Sequence, residues 1–79
     1  MNKKEEILTI LAEECAEVIV EISKIKRFGN DYTNLVKEMA DVACMVSLLH
    51  DEGVFTDEDF YDLMEAKREK LHTWSNIFK

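Results

Sequence analysis

Apolar residues recur at spacings of three and four residues through most of the chain, which is the pattern of amphipathic α-helices. The first such stretch runs from about Lys3 to Phe28, the second from about Tyr32 to His50, and the third from about Asp57 to Thr73. Gly29 and Gly53 follow the first two stretches, in the position where glycine commonly ends a helix. The pattern therefore predicts three helices and an all-α fold.

The polar residues before two of these stretches are typical of helix starts. Thr56 precedes three consecutive acids, as expected for an N-cap followed by a first turn that favours negative charge. Asp31 or Thr33 can cap the second helix in the same way. Zero prolines and only two glycines leave few breaks in the chain, so residues 1–79 are expected to form one helical domain.

The first helix carries a broad apolar stripe beside a strip of acids. The stripe consists of Ile7, Leu8, Leu11, Cys15, Val18, Ile22 and Ile25. The acids beside it are Glu13, Glu14, Glu17 and Glu21. On a wheel of about 100° per residue, Glu14 falls between apolar positions. We therefore expect Glu14 to point partly toward the core.

The second helix is apolar in nearly every direction. Between Leu35 and Leu49 its only charged residues are Lys37, Glu38 and Asp41. Glu38 and Asp41 are three residues apart and share a face. A chain of 79 residues has little material with which to bury such a helix on all sides. We therefore expect an antiparallel helical hairpin plus a third helix that assembles into a four-helix-bundle-like core with a partner subunit, as a homodimer or a dimer of dimers.

The third helix has an apolar stripe with one basic residue inside it. The stripe consists of Phe60, Leu63, Met64, Leu71 and Trp74. Lys67 falls in the middle of this stripe and faces the same side. Either its aliphatic part packs while the amine reaches solvent, or the amine meets a negative partner.

Composition narrows the function classes. Seventeen acids against ten bases give a formal net charge of -7, which argues against binding to a nucleic acid polymer. No stretch approaches the roughly 20 apolar residues of a membrane-spanning helix, and the N-terminus lacks the pattern of a signal peptide, so a cytoplasmic protein is expected. Cys15 and Cys44 lie in apolar helical patterns without a C-x-x-C spacing, and we expect both to be reduced core residues.

The two pairs of acids on the first and second helices indicate a metal site. Carboxylates that converge in a partly dry place repel one another unless they take up protons or a cation neutralises them. The E-x-x-E and E-x-x-D spacings put each pair one helical turn apart, within reach of one ion or of two neighbouring ions. All these ligands are oxygen atoms, which favours Mg²⁺, with Mn²⁺ as a substitute, over zinc.

The same residues resemble the signature of the MazG-like all-α nucleoside triphosphate pyrophosphohydrolases, a group related to the dimeric dUTPases. The first half of that signature, E-E-x-x-E, reads Glu13-Glu14-Cys15-Ala16-Glu17 here. The second half, E-x-x-D, reads Glu38-Met39-Ala40-Asp41 after twenty intervening residues. The resemblance covers roughly residues 5 to 50 and is looser beyond Gly53.

This resemblance implies a reaction and a set of ligands. Glu14, Glu17, Glu38 and Asp41 would hold Mg²⁺, and a nucleoside triphosphate would be cleaved between its α and β phosphates into a nucleoside monophosphate and pyrophosphate. Glu14, or its neighbour Glu13, would accept the proton of the attacking water.

A triphosphate also needs positive partners beside the metal. Lys24 and Arg27 follow the acids on the first helix, and Lys67 faces inward from the third, so these three are the candidates for binding the phosphates. Candidate contacts to the base or the sugar are Asn30, Asn34 and Trp74.

Two other interpretations of the sequence compete with that of a hydrolase. A carboxylate-bridged di-iron bundle needs two Glu-x-x-His pairs, and only Glu69 and His72 have that spacing. A non-catalytic helical assembly module explains the apolar surface equally well. It leaves Glu38 and Asp41 inside an apolar helix without an explanation, which favours the enzyme.

Overall fold

The computed structural model describes all 79 residues, and it consists of three α-helices with no β-strand. Helix α1 spans Lys3–Phe28, α2 spans Thr33–Asp51 and α3 spans Asp57–Trp74. The predicted all-α class is confirmed, and each predicted helix end lies within one residue of the observed end. None of the helices is both long enough and apolar enough to cross a bilayer.

Local hydrogen bonds explain where α1 begins and ends. The backbone N–H of Glu5 donates to Asn2 Oδ1 at 2.9 Å, while the Glu5 carboxylate accepts from the Asn2 backbone N–H at 3.3 Å. This reciprocal pair satisfies two donors that the first turn would otherwise leave free. At the other end Gly29 adopts a left-handed conformation with φ 68°, and its N–H donates to the Ile25 carbonyl.

The starts of α2 and α3 are stabilised by short polar side chains. The Thr33 backbone N–H donates to Asp31 Oδ1 at 3.0 Å, so Asp31 rather than Thr33 supplies the hydrogen bond at the start of α2. This bond lowers the pKa of Asp31, because it favours the ionised carboxylate. The Asp59 backbone N–H donates to Thr56 Oγ1 at 3.2 Å, as predicted for an N-cap.

Helices α1 and α2 are the pair that packs together. Lys3 Nζ lies 3.2 Å from Glu52 Oε2, so the beginning of α1 is next to the end of α2. Ile7 from α1 and Leu49 from α2 are the two buried apolar side chains, and both lie toward this end of the pair. The small core of the chain therefore sits between α1 and α2.

Helix α3 meets the rest of the chain at a small joint at the end of α2. His50 Nε2 lies 3.2 Å from Asp57 Oδ1, and the Phe55 ring lies 5.4 Å from the His50 ring. Phe55 also stacks on Phe60, with ring centroids 4.8 Å apart. No residue of α3 is buried. The joint therefore fixes the start of α3 against the end of α2. Further along α3, the His72 ring and the Arg68 guanidinium contact the ring of Phe78 in the segment that follows the helix.

The chain as a whole is more open than a compact domain of the same length. Its radius of gyration is 15.2 Å, against about 11.6 Å for a compact domain of this length. Its accessible surface is 6355 Å², about 1,400 Å² more than expected for a compact monomer of this size.

This openness corrects several expectations about the core. Leu8, Cys15 and Ile22 belong to the predicted stripe of α1 but are exposed, and Cys44 is exposed as well. Both cysteines are free thiols, as expected, yet the prediction that they are core residues is wrong for a single chain. The apolar pattern identifies residues that favour burial. It does not show whether the same chain or another molecule covers them.

Candidate metal centre

Three carboxylates from two helices converge on one point of the α1–α2 pair. Glu14 comes from α1, and Glu38 and Asp41 come from α2. One oxygen of each lies within 4.8 Å of an oxygen of both others, and all three residues are partly buried. We call these three residues the carboxylate cluster.

The positions of these residues along their helices explain the convergence. Glu38 and Asp41 lie one turn apart on the same face of α2, so their carboxylates approach each other from one side. Glu14 faces this pair from the neighbouring helix, which agrees with the expectation that it points partly inward. No ion pair of the chain involves a member of the carboxylate cluster. The cluster therefore holds excess negative charge with no cation from the protein beside it.

This crowding changes the acidity of Glu14. Partial burial raises the pKa of Glu14, and the negative charges of Asp41, Glu38 and Glu17 raise it further. Both effects act in the same direction, because each makes the ionised form of Glu14 less favourable. A divalent cation between the three groups would oppose this effect, because its positive charge favours the ionised form of Glu14.

The cluster fits a hard divalent cation. Ligand oxygens at 2.0–2.1 Å from an octahedral Mg²⁺ are about 3 Å apart at neighbouring positions and about 4 Å apart at opposite ones. The observed separations, within 4.8 Å, need only a small side-chain rotation to reach these values. The donor set is made of oxygen atoms alone, with neither Cys nor His, which suits Mg²⁺ or Mn²⁺ better than zinc.

The other predicted acids lie at the edge of the cluster. Glu17 is exposed and has no oxygen within the group of three, although its charge contributes to the raised pKa of Glu14. Glu13 is exposed and lies outside the group. Glu69 and His72, which have the spacing of a di-iron motif, do not join the group either, and the His72 ring stacks on Phe78 with centroids 4.5 Å apart.

The three predicted phosphate-binding residues are not gathered at the cluster in this single chain. Lys24 Nζ lies 3.5 Å from Glu21 Oε1 on its own helix. The Arg27 guanidinium lies over the ring of Phe28, 5.0 Å from its centroid. Lys67 is on α3, where it lines a hollow together with other residues of α3 and of the segment that follows it.

An apolar groove next to the cluster was only partly predicted from the sequence. Its volume is about 260 Å³, and we call it the α1–α2 groove; it is lined by Cys15, Val18, Ile19, Met39 and Val42. Each acid of the cluster directly precedes one of these residues in the sequence. Ile19 lies outside the predicted stripe of α1, and the signal for it is a second apolar edge on that helix. Met39 lies on α2, which was predicted to be apolar in nearly every direction.

The sequence pattern also failed to predict that Glu21 is buried. The residue is only 9% exposed, although the pattern assigned it to the acid strip of α1. Lys24, one turn later on the same helix, is its partner. A wheel of α1 alone cannot show this, since the burial of Glu21 depends on the path of the chain around it.

Comparison with protein families gives a match along nearly the whole chain. The model of the MazG nucleotide pyrophosphohydrolase domain matches residues 2–74. The chain belongs to this family. The resemblance seen in the two acidic motifs is therefore confirmed, and it extends past Gly53, where the sequence alone gave a looser resemblance. No curated protein and no solved structure matches the chain in the corresponding comparisons.

Membership in the MazG family indicates what kind of ligand the carboxylate cluster can bind. The family is one of nucleotide pyrophosphohydrolases, and its members typically depend on a divalent metal ion. In this MazG chain, Glu14, Glu38 and Asp41 form the group of three acidic side chains that can hold such an ion. The family and the geometry therefore indicate the same part of the molecule.

Proposed function

We propose that this MazG-family chain hydrolyses nucleoside triphosphates, with ribose or deoxyribose, to nucleoside monophosphates and pyrophosphate in a Mg²⁺-dependent reaction. The observation that carries the proposal is the convergence of Glu14, Glu38 and Asp41 inside the matched family domain. Glu17 completes the proposed ligand set from the next turn of α1. Mn²⁺ is expected to substitute for Mg²⁺, because it accepts the same oxygen ligands.

The acids would have different roles in the reaction. When bound, the metal ion supplies neutralisation of the phosphate oxygens and a lowered pKa for a water positioned to attack in line. Glu38 and Asp41 would hold their side of the site, since they extend from one face of α2. Glu14, which faces the Glu38 and Asp41 pair from α1, is the proposed acceptor of the proton of the attacking water, and Glu13 is the alternative acceptor.

Basic residues would bind the negative triphosphate. Lys24 lies 3.5 Å from the largely buried carboxylate of Glu21, so a phosphate bound by Lys24 would have to compensate Glu21 for the loss of this contact. Arg27 lies one turn further along α1. Lys67 is the third candidate, and it is the only one that sits on α3.

The open shape supports assembly with a second copy. Ile19 and Met39 in the α1–α2 groove are 67% and 46% exposed. About 1,400 Å² of excess surface per chain is in the range that obligate dimers bury on each subunit. We propose that residues 1–79 form one domain, that α1 and α2 form an antiparallel hairpin, and that two hairpins build a four-helix-bundle-like core in a cytoplasmic homodimer or dimer of dimers.

A pyrophosphate-release assay tests the activity directly. Purified protein is incubated with each of the common NTPs and dNTPs, with Mg²⁺ and with the metal chelated. We expect pyrophosphate and monophosphate from at least one substrate only when the metal is present. Asp41→Asn should reduce turnover by about a hundredfold or more, because it removes a metal ligand and its charge.

Asp62→Asn is the matched control, since Asp62 is an exposed acid of α3 outside the carboxylate cluster. It should keep wild-type turnover. No hydrolysis of any nucleotide by a folded, metal-loaded protein would favour the competing function, a non-catalytic helical assembly module.

A further inference from the structure

The face of α1 that packs on α2 contains a buried acid that the proposed reaction does not use. Ile7, Glu14 and Glu21 follow one another at intervals of seven residues, so they share this face. Ile7 and Glu21 are buried, and Glu14 between them belongs to the carboxylate cluster. Burying a carboxylate is unfavourable unless a partner compensates its charge. The burial of Glu21 therefore points to its partner.

Lys24 is the basic residue in contact with Glu21. Its Nζ lies 3.5 Å from Glu21 Oε1, and the Glu21 side chain is 11% exposed against 48% for Lys24. The Lys24 ammonium thus meets an acid that the packing of the helices holds in place. A lysine on a helix surface otherwise moves among many rotamers, because its stem is long and flexible. Glu21 therefore restricts where the ammonium lies.

The contact turns Lys24 toward the carboxylate cluster. Glu21 precedes Lys24 by three residues, so the ammonium lies on the N-terminal side of its own Cα, which is the direction that helical side chains favour. Glu17 precedes Lys24 by seven residues, so both lie on one strip of α1. Glu17 and Glu21 are one turn apart, about 6 Å along the axis. The ammonium is therefore held near the level of Glu21, one turn from the nearest proposed metal ligand.

This placement suits a triphosphate bound at the carboxylate cluster. The acids of the cluster are negative, so the phosphates need positive charge from elsewhere in the protein. A phosphate that took Lys24 away from Glu21 would leave a largely buried carboxylate without a partner. The ammonium has three N–H donors, so one can remain on Glu21 while another contacts a phosphate oxygen.

We propose that Glu21 is a positioning residue, which holds the Lys24 ammonium between its own carboxylate and a phosphate oxygen of the substrate. This role rests on the proposed function and deepens it, since it names the residue that places Lys24. Glu21 acts through Lys24 and does not itself contact the substrate. A buried acid serves this purpose better than an exposed one, because its own side chain has little freedom.

Glu21→Gln separates positioning from a simple effect of charge. The variant keeps the size of the side chain and removes one negative charge. If Glu21 were only a nearby negative charge, its removal would strengthen the binding of a negative triphosphate. If Glu21 positions Lys24, the lysine gains freedom that binding must then remove. We expect KM to rise by about two- to tenfold, with kcat nearly unchanged.

Variants of Lys24 show whether Glu21 acts through it. Lys24→Ala removes the cation and should raise KM by about ten- to a hundredfold. Adding Glu21→Gln to Lys24→Ala should cause no further rise, since the residue that Glu21 positions is already absent. Lys26→Ala is the matched control, because it removes an exposed lysine from another face of the same helix, and KM should stay near the wild-type value.

Binding of inorganic tripolyphosphate in the presence of Mg²⁺ gives a readout that does not need turnover. Titration calorimetry should show affinities that decrease from the wild type to Glu21→Gln to Lys24→Ala, with thermal unfolding of each variant as the check of folding. If folded Glu21→Gln binds tripolyphosphate as tightly as the wild type, or more tightly, the positioning role is wrong. A silent pyrophosphate assay with this order of affinities intact would count against the proposed function alone.

Discussion

Glu14 and Asp41 lie on different helices, and their carboxylate oxygens come within 4.8 Å of each other with no basic side chain between them. Burial and this neighbouring negative charge raise the pKa of Glu14. Folding alone therefore makes the site less favourable for three ionised acids. A divalent cation would favour the ionised forms instead. Metal binding, proton binding and folding stability are therefore coupled at this site.

The first prediction concerns stability without metal. The raised pKa of Glu14 means that its contribution to stability is present at low pH and is lost as the pH rises through that pKa. Glu14→Gln removes the charge, so at pH 7 in a chelator the variant should unfold at a higher temperature than the wild type. The difference should shrink as the pH falls, because the wild-type carboxyl becomes protonated.

Adding Mg²⁺ to the same thermal scans should reverse the order of the two proteins. The wild type gains stability by binding the ion, while Glu14→Gln lacks a ligand and gains little. Ser47→Ala, a polar-to-apolar change at an exposed position of α2, serves as the comparison and should respond to Mg²⁺ as the wild type does. A wild-type melting temperature that does not move with Mg²⁺ would contradict the role of the cluster.

The second prediction is that metal binding releases protons. Glu14 must be ionised to bind a cation, so Mg²⁺ competes with the proton that the raised pKa retains. The affinity for Mg²⁺ should increase as the pH rises through this pKa and level off above it. Titration calorimetry in two buffers of different ionisation enthalpy measures the protons released, and Glu14→Gln should release fewer. Equal proton release by both proteins would assign the linkage to another group.

The helices could be predicted from the sequence because their ends are set by local interactions. Gly29 in its left-handed conformation and Thr56 as an N-cap act within a few residues, so the sequence alone contains the necessary information. The approach of Glu14 to Glu38 and Asp41 was also predictable, since it follows from side-chain direction on two neighbouring helices. These features depend on residues that are close in sequence or on the packing of two neighbouring helices.

The position of side chains relative to solvent was less predictable. Cys15 and Ile22 belong to an apolar stripe and yet are exposed, whereas Glu21 belongs to an acid strip and is buried. A helical wheel shows which residues share a face, but whether that face is covered depends on what packs against it, which the wheel does not contain. The same reason explains Lys67, which was expected inside a core that one chain does not build.

The third prediction isolates a backbone effect at the end of α1. Gly29 has φ 68°, and a Cβ placed there would meet no atom within 4 Å, so any cost of Gly29→Ala comes from the backbone. An alanine in this conformation costs roughly 1–2 kcal/mol. The melting temperature should fall by about 4–8 °C for each kcal/mol in a chain of this size.

Gly29→Asn is the control for this prediction, because asparagine tolerates the left-handed region better than alanine. It should lose less stability than Gly29→Ala, measured by thermal or urea unfolding at one protein concentration. Equal losses in the two variants would show that glycine is required at this position for a reason other than its backbone conformation.

The last prediction links stability to protein concentration. If a second copy covers the α1–α2 groove, association stabilises the folded chain, and the melting temperature of the wild type should increase with concentration. Ile19→Asp or Met39→Asp places a charge in the groove and should dissociate the assembly, as measured by sedimentation velocity. Val54→Asp makes the same chemical change at an apolar residue that is also exposed, 54%, but lies outside the groove, and it should leave the assembly intact. If all three variants sediment as the wild type does, the groove is not the interface, and the excess surface of the chain must be covered elsewhere.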